Sequence, residues 1–128
     1  MVTISNSIEQ TERLGYIFAE GLCGNETICL MGDVGGGKSS FVRGMLKYLF
    51  PNDIYKPTYR QSICIYHDKL LHIDGSNFLK IGLPDEFVKF NGIRVIEHGD
   101  LWENELIFDH KIKITRITKI NREVEVLW

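Results

Sequence analysis

The sequence predicts an α/β fold, with a mainly parallel central sheet flanked by helices and an antiparallel C-terminal hairpin. Three observations carry this expectation. "TICLM", Thr27 to Met31, is a short apolar run with β-branched residues, the pattern of a strand buried on both faces. It leads into a glycine loop and then an amphipathic helix, the order of a parallel α/β unit. Near the end, "HKIKITRI" (His110 to Ile117) and "REVEVLW" (Arg122 to Trp128) alternate strictly, as a hairpin at a sheet edge does.

The other elements follow in chain order. Ser7 to Gln10 has the spacing of a capping box. Ile8, Leu14, Ile17, Phe18 and Leu22 recur at helical spacing, so a helix is expected to about Leu22, with Cys23 to Asn25 as its stop. After the glycine loop, Phe41, Val42, Met45, Leu46 and Leu49 form an apolar stripe, with Arg43, Lys47 and Tyr48 off it. Pro51 and Asn52 end that helix. "SICIYH" (Ser62 to His67) and "LLHID" (Leu70 to Asp74) are predicted strands joined by a tight turn at Asp68 and Lys69. Phe78 to Phe90 is partly helical in expectation, and "IRVIE" (Ile93 to Glu97) is a further apolar strand. There is no internal repeat, low-complexity tract or linker, so residues 1–128 are expected to form one domain.

Composition narrows the function classes. An apolar fraction of 44% and a charged fraction of 25% are those of an ordinary soluble protein. No run approaches the length of a membrane-spanning helix, and the N-terminus lacks the pattern of a signal peptide. Cys23, Cys29 and Cys64 are odd in number and widely spaced, which argues against a disulfide framework and for a cytoplasmic location. A net charge of −2 with scattered basic residues argues against autonomous nucleic-acid binding.

The chemistry is concentrated in "GDVGGGKSS", Gly32 to Ser40. Gly32, Gly37, Lys38 and Ser39 fit G-x-x-x-x-G-K-[ST], the phosphate-binding P-loop. Glycines let the backbone approach phosphate closely, and the amides of Gly35, Gly36, Gly37, Lys38, Ser39 and Ser40 form a nest at the positive end of the helix. Lys38 is expected to reach the β- and γ-phosphates, and the Ser39 hydroxyl to ligate Mg²⁺. A strand before the loop and an amphipathic helix after it are the confirming context. The fold expectation thereby narrows to a single small P-loop NTPase-like domain. Turnover also needs a carboxylate by the metal and a group that orients the nucleophile. Asp74 and Glu97 each end an apolar strand, where side chains face such a pocket, and spacing alone does not rank them.

Cys64, His67 and His72 match no common zinc spacing, and are expected to be strand residues. "TKIN" (Thr118 to Asn121) is close to the guanine-specifying [NT]-K-x-D, but Asn121 replaces the carboxylate that accepts guanine's N–H groups. It is expected to be a turn, and ATP rather than GTP the nucleotide. Trp102 and Trp128 are expected to be packing anchors.

Taken together these motifs resemble the TsaE (YjeE) family, small P-loop ATPases of tRNA threonylcarbamoyladenosine synthesis. The resemblance covers most of the chain, in order: Thr11, Leu14 and Gly15 for T-x-x-L-G, "GDVGGGKSSFVRG" for GDLGAGKTTFVRG, and "KPTY" for SPTY. "HID" (His72 to Asp74) looks like the family's H-x-D strand end, "VIEHGD" (Val95 to Asp100) like its hydrophobic-E-W element, and "NREVEV" like its closing strand. The resemblance implies that Ser39 binds magnesium, that Glu97 is associated with it, and that Asp74 is required for catalysis beside Lys38. It also implies that Arg122 is near the nucleotide, with Ser7 or Thr11 near the base. The chain departs from the family pattern at Lys56, at Gly75-Ser76-Asn77 where an apolar residue and Tyr-Arg are usual, and at His98 in place of tryptophan.

The function so implied is an ATPase, slow alone, that binds ATP and Mg²⁺ and supports threonylcarbamoyl transfer to the adenosine next to the tRNA anticodon. Its expected partner is a TsaD–TsaB-type complex, with tRNA reached only through that complex and no membrane contact. The departures at Ser76 and His98 motivate an alternative, a nucleotide-dependent binding module with weak or no turnover. A small-molecule kinase would need an arginine-bearing lid. Arg13, Arg43, Arg60, Arg94, Arg116 and Arg122 are instead dispersed, and no lid-length insertion is visible.

Overall fold

The computed structural model describes residues 1–33, 37–52, 58–60 and 63–127. Within them the apolar run at Thr27 is the pivot of a sheet ordered β1-β8-β7-β2-β6-β5-β4-β3. The strands are β1 (Val2–Ser5), β2 (Thr27–Gly32), β3 (Thr58–Arg60), β4 (Ile63–Tyr66), β5 (Leu70–Asp74), β6 (Ile93–Glu97), β7 (His110–Arg116) and β8 (Arg122–Val126). Strand β2 lies parallel to β6 on one side and to β7 on the other, and β5 runs parallel to β6. The parallel part expected from the sequence is therefore the four-strand centre. Antiparallel pairs extend it on both flanks, β3-β4-β5 at one end and β7-β8-β1 at the other. After β2 the chain crosses to the far edge and returns through β6, then passes to the other side of β2 as β7. The loop leaving β2 thus sits where the strand order reverses, the usual place for a ligand crevice.

The closing hairpin is present, but it does not form the edge of the sheet. β1 pairs outside it, from Val2 opposite Glu125 to Ser5 opposite Arg122. Val2 to Ser5 alternates apolar and polar residues, but the segment is only four residues long and its apolar Val2 and Ile4 face outward while Ser5 is buried, the reverse of the usual pattern.

Helices α1 (Ile8–Glu20) and α2 (Lys38–Leu49) cover one face. Phe41, Val42, Met45 and Leu46 of α2 pack on Ile28, Leu30, Leu70, Val95, Ile112 and Ile114 of the strands, each side chain contributing about 1.5–3 kcal/mol by leaving water. The α1 stripe is met in part: Leu14, Phe18 and, past the helix end, Leu22 pack on the core, while Ile8 and Ile17 are exposed and the fully buried positions are Thr11, Gly15 and Ala19. The reason is how closely the helices cross. A Cβ on Gly15 would collide with the Phe41 carbonyl, and one on Gly44 with the Glu12 carbonyl. Small residues form the points of closest approach, which a search for large apolar ones does not find. At the start of α1, Gln10 N–H donates to Ser7 Oγ (3.1 Å), while Gln10 Oε1 accepts from Asn6 N–H (2.7 Å), a capping box displaced by one residue. The helix ends at Glu20, before the predicted Leu22, and the Glu26 carboxylate gathers the N–H groups of Cys23, Gly24 and Asn25 in the stop that follows.

The opposite face is covered without a long helix. Cys29, Leu71, Ile73 and Ile96 pack against Phe78, Phe87, Trp102 and Phe108. These come from two 3₁₀ turns (Gly75–Phe78 and Gly99–Trp102), the short α3 (Asp85–Val88) and the approach to β7. Trp102 is the anchor expected of it, its indole N–H donating to the Gly75 carbonyl at 2.9 Å; Trp128 lies outside the described residues. No helix among the described residues is long and apolar enough to cross a membrane.

Candidate functional site

The site is assembled by strand parity. On β6, Ile93 and Val95 face the helices, so Glu97 does too; on β5, Leu70 faces the helices and His72 and Asp74 follow it at intervals of two. Asp74 and Glu97 are register partners at the C-terminal ends of adjacent parallel strands. The first turn of α2 stands over those ends. Gly37, Lys38, Ser39, Ser40, Asp74, Glu97 and His98 together line one cavity of about 330 Å³. Thus Lys38, Ser39, Ser40, Asp74 and Glu97, chosen from three separate stretches of sequence, come together. Gly35, Gly36 and the KPTY motif, with Lys56, lie outside the described residues or carry no described side chain.

Two glycines make the turn into α2 possible. Gly32 has φ of +135°, and a Cβ there would collide with the Ile114 carbonyl of neighbouring β7. Gly37, with φ of +108°, is the residue from which the helix starts. Lys38 is buried, its ammonium donating to the carbonyls of Gly32 (2.7 Å) and Asp33 (3.2 Å). The cation is therefore held against the entrance strand of the loop, at the positive end of α2.

The two carboxylates are held differently. Asp74 Oδ1 accepts from the Ser76 N–H (3.0 Å) and the Ser76 hydroxyl (2.7 Å), capping the 3₁₀ turn. Glu97 Oε2 lies 2.9 Å from His72 Nε2. Burial works to raise the Glu97 carboxyl, and Asp74 adds to that. The His72 hydrogen bond and the His72 and Lys38 charges outweigh them and hold it below the ordinary carboxylate value. His98 adopts a left-handed conformation (φ +55°) and its N–H donates to the Leu30 carbonyl (2.8 Å), so the chain turns sharply just past Glu97.

A second cavity, of about 410 Å³, is lined by Ser7, Thr11, Gly37, Ser40, Lys119, Ile120 and Arg122, among others. Arg122 is placed here, apart from the carboxylates. Its guanidinium donates to the carbonyls of Thr118 (3.0 Å), Lys119 (3.3 Å) and Asn121 (3.1 Å). The Thr118 hydroxyl also accepts from Ile120 and Asn121 N–H, so "TKIN" is the turn it was expected to be. Gly37 and Ser40 line both cavities, which join at the first turn of α2.

The contribution of His72 was missed by sequence reasoning, which weighed it as a zinc ligand or an ordinary strand residue. The signal was its spacing two residues before Asp74, which puts both on one face. His67 belongs to the turn rather than the strand, with φ of +51° and its ring 4.6 Å from that of Phe50.

Comparison with known proteins identifies the family and the fold. The family model described as "Threonylcarbamoyl adenosine biosynthesis protein TsaE" matches residues 5–124. Three curated relatives bear the name tRNA threonylcarbamoyladenosine biosynthesis protein TsaE. The one from Treponema pallidum is 29% identical, covering 98% of this chain and 99% of its own. Those from Aquifex aeolicus (38% identical) and Rickettsia conorii (32%) match 56% and 53% of this chain. These two matches span only 57% and 44% of the relatives' own lengths. Among solved structures, Bacillus subtilis YdiB has the same fold, with a TM-score of 0.73 at 23% identity over 98% of this chain and 83% of its own. On the match across residues 5–124, the chain belongs to the TsaE family.

Proposed function

We propose that residues 1–128 form one ATPase domain that binds ATP with Mg²⁺ and supports threonylcarbamoyl transfer to the adenosine beside the tRNA anticodon. The observation that carries this reading is the shared cavity: the buried lysine, the Ser39 hydroxyl and two strand-end carboxylates face the same space. Oxygen donors of this kind, a hydroxyl and carboxylates, suit Mg²⁺. Ser39 and Glu97 would hold the ion, which when bound supplies positive charge to the phosphates. Lys38 binds the phosphate end, and the amides of Gly37 to Ser40, at the helix N-terminus, orient it. Asp74 Oδ2, with no hydrogen bond among the described residues, is the atom available to align the attacking water. The base belongs in the second cavity, beside Ser7 and Thr11.

The names of the relatives, tRNA threonylcarbamoyladenosine biosynthesis proteins, support a role in tRNA modification. We assign a TsaD–TsaB-type complex as the partner, with tRNA reached through it, and the cytoplasm as the location. The test is ATP hydrolysis with and without such a pair. The expected result is slow turnover alone, acceleration by the pair, and a loss of about 10²-fold or more in Asp74→Ala with nucleotide binding retained. Failure of ATP to bind, or of the pair to change turnover, refutes the reading.

A specific observation favours a second reading, a nucleotide-dependent binding module with little turnover. Ser76, at a family tyrosine position, occupies Asp74 Oδ1 through both its N–H and its hydroxyl. Under that reading Glu97→Ala leaves nucleotide and partner binding intact, and there is no hydrolysis to lose.

A further inference from the structure

We propose that His72 is a positioning residue for Glu97: its Nε2–H holds Glu97 Oε2, which turns the other carboxylate oxygen toward the cation position beside Ser39. The inference rests on the cation role assigned to Glu97 above.

The geometry comes from the sheet. His72 lies on β5 opposite Val95, two residues before Asp74, and so shares the helix-facing side with both carboxylates. Its Nε2 is 2.9 Å from Glu97 Oε2, with side-chain exposures of 15% and 19%. A charge-assisted hydrogen bond shielded to that degree is stronger than one at an open surface. Among the described residues no lysine or arginine pairs with Glu97. Lys38, the nearest candidate along the cavity wall, spends its hydrogen bonds on the Gly32 and Asp33 carbonyls. His72 is thus the side chain that sets the Glu97 rotamer. The ring also lines two neighbouring grooves, one with Ile63, Cys64 and Asn77 and the other with Ser39, Val42 and Arg43, so the Glu97 hydrogen bond is what fixes its orientation. Carboxylates that bind a cation through one oxygen commonly have the other fixed by such a hydrogen bond, and losing the outer partner typically lowers metal affinity about 10- to 100-fold.

The test uses the whole chain with Mn²⁺ as a spectroscopic stand-in for Mg²⁺. Binding is read by electron paramagnetic resonance in the presence of ADP, and ADP affinity is measured separately without divalent cation. His72→Ala is expected to weaken Mn²⁺ binding about tenfold while leaving cation-free ADP affinity unchanged. His72→Gln, whose Nε2 can take the place of the ring nitrogen, is expected to recover most of that loss. Wild-type Mn²⁺ affinity in His72→Ala overturns the proposal, as does an equal loss in both variants. Failure of the underlying reading looks different. There the unmodified protein binds Mn²⁺ no better with ADP than without, and Glu97→Ala changes nothing.

Discussion

Replacing Gly44 by alanine tests whether the close crossing of α1 and α2 governs stability more than local helix preference does. An isolated helix gains about 1 kcal/mol from this change. Here the new Cβ would overlap the Glu12 carbonyl oxygen, well inside the ~3.3 Å at which carbon and oxygen come into contact. The helices must therefore part by about an ångström or more. That opens a second pinch point, where Gly15 meets the Phe41 carbonyl, and loosens the Phe18–Phe41 and Tyr16–Tyr48 ring contacts. It also pulls Glu12 from Arg43 (3.0 Å) and Lys47 (2.6 Å), exposed pairs each worth under about 1 kcal/mol. Overpacking at the upper end of its usual range costs ~3 kcal/mol, so the net destabilisation is about 2 kcal/mol once helix preference is returned. For a chain of this size that lowers Tm by roughly 8 °C. Urea denaturation followed by circular dichroism is the assay, with Arg43→Ala as a control that moves the midpoint little. A Gly44→Ala protein as stable as the parent, or more so, refutes the reasoning.

Other expectations bear on single groups. Lys38→Met retains the native circular dichroism spectrum but loses the rise in Tm that ATP gives the parent, as measured by thermal shift; a retained rise refutes the assigned role of the ammonium. Burial, reinforced by the Asp100 charge, pushes the Cys29 thiol up to about 12 from 9.0. Cys29 should therefore resist a thiol reagent at pH 8 until the protein unfolds, while exposed Cys23 reacts at once. Because folding raises this pKa, the stability tied to the thiol is complete below pH 9.0 and is lost as pH rises toward about 12. Glu12 behaves oppositely. The Lys47 hydrogen bond, opposed by burial and aided by Arg43, holds its carboxyl below 4.5. Its contribution is present above pH 4.5 and lost as pH falls through the lowered value, so the urea midpoints of the parent and Glu12→Gln should converge in acid.

What could be seen in advance followed from local pattern. α2 declares itself through large apolar residues at helical spacing, and the phosphate loop through glycines followed by lysine and serine. Strand ends at Asp74 and Glu97 were legible because each apolar run stops on an acid. The rest depends on residues far apart in sequence. β1 pairs because β8 offers it an edge; its β-branched residues favour a strand, but four residues with both apolar side chains exposed have no core of their own to hold them. The fully buried positions of α1 are Thr11, Gly15 and Ala19, beside partly buried Leu14 and Phe18, and at Gly15 the closeness of α2 excludes anything larger. The His72–Glu97 bond spans twenty-five positions and exists only because β5 and β6 lie side by side. Arg122 shows the limit from the other side. Its place near the nucleotide was implied by resemblance, while its hydrogen bonds to three turn carbonyls could be found only in the fold.

The two cavities also bear on how a nucleotide could act as a signal in so small a protein. One is walled by the ends of β5 and β6, the other by the start of α1 and the turn between β7 and β8, and Gly37 and Ser40 face both. A ligand with phosphates in the first and a base in the second would bridge opposite flanks of the sheet across the first turn of α2. Thr11, which lines the second cavity, shares a 2.7 Å hydrogen bond with buried Ser5, whose strand β1 is one edge of the sheet. Under the proposed reading, ordering the base end would act on the edge formed by β1 through Thr11 and Ser5, while removing the γ-phosphate would act on the carboxylate end. A ligand's effect on conformation is limited to its differential affinity for the two states. Under the proposed reading, that difference lies between ATP and ADP at Asp74 and Glu97, whose partners Ser76 and His72 are the groups such a change would reach first.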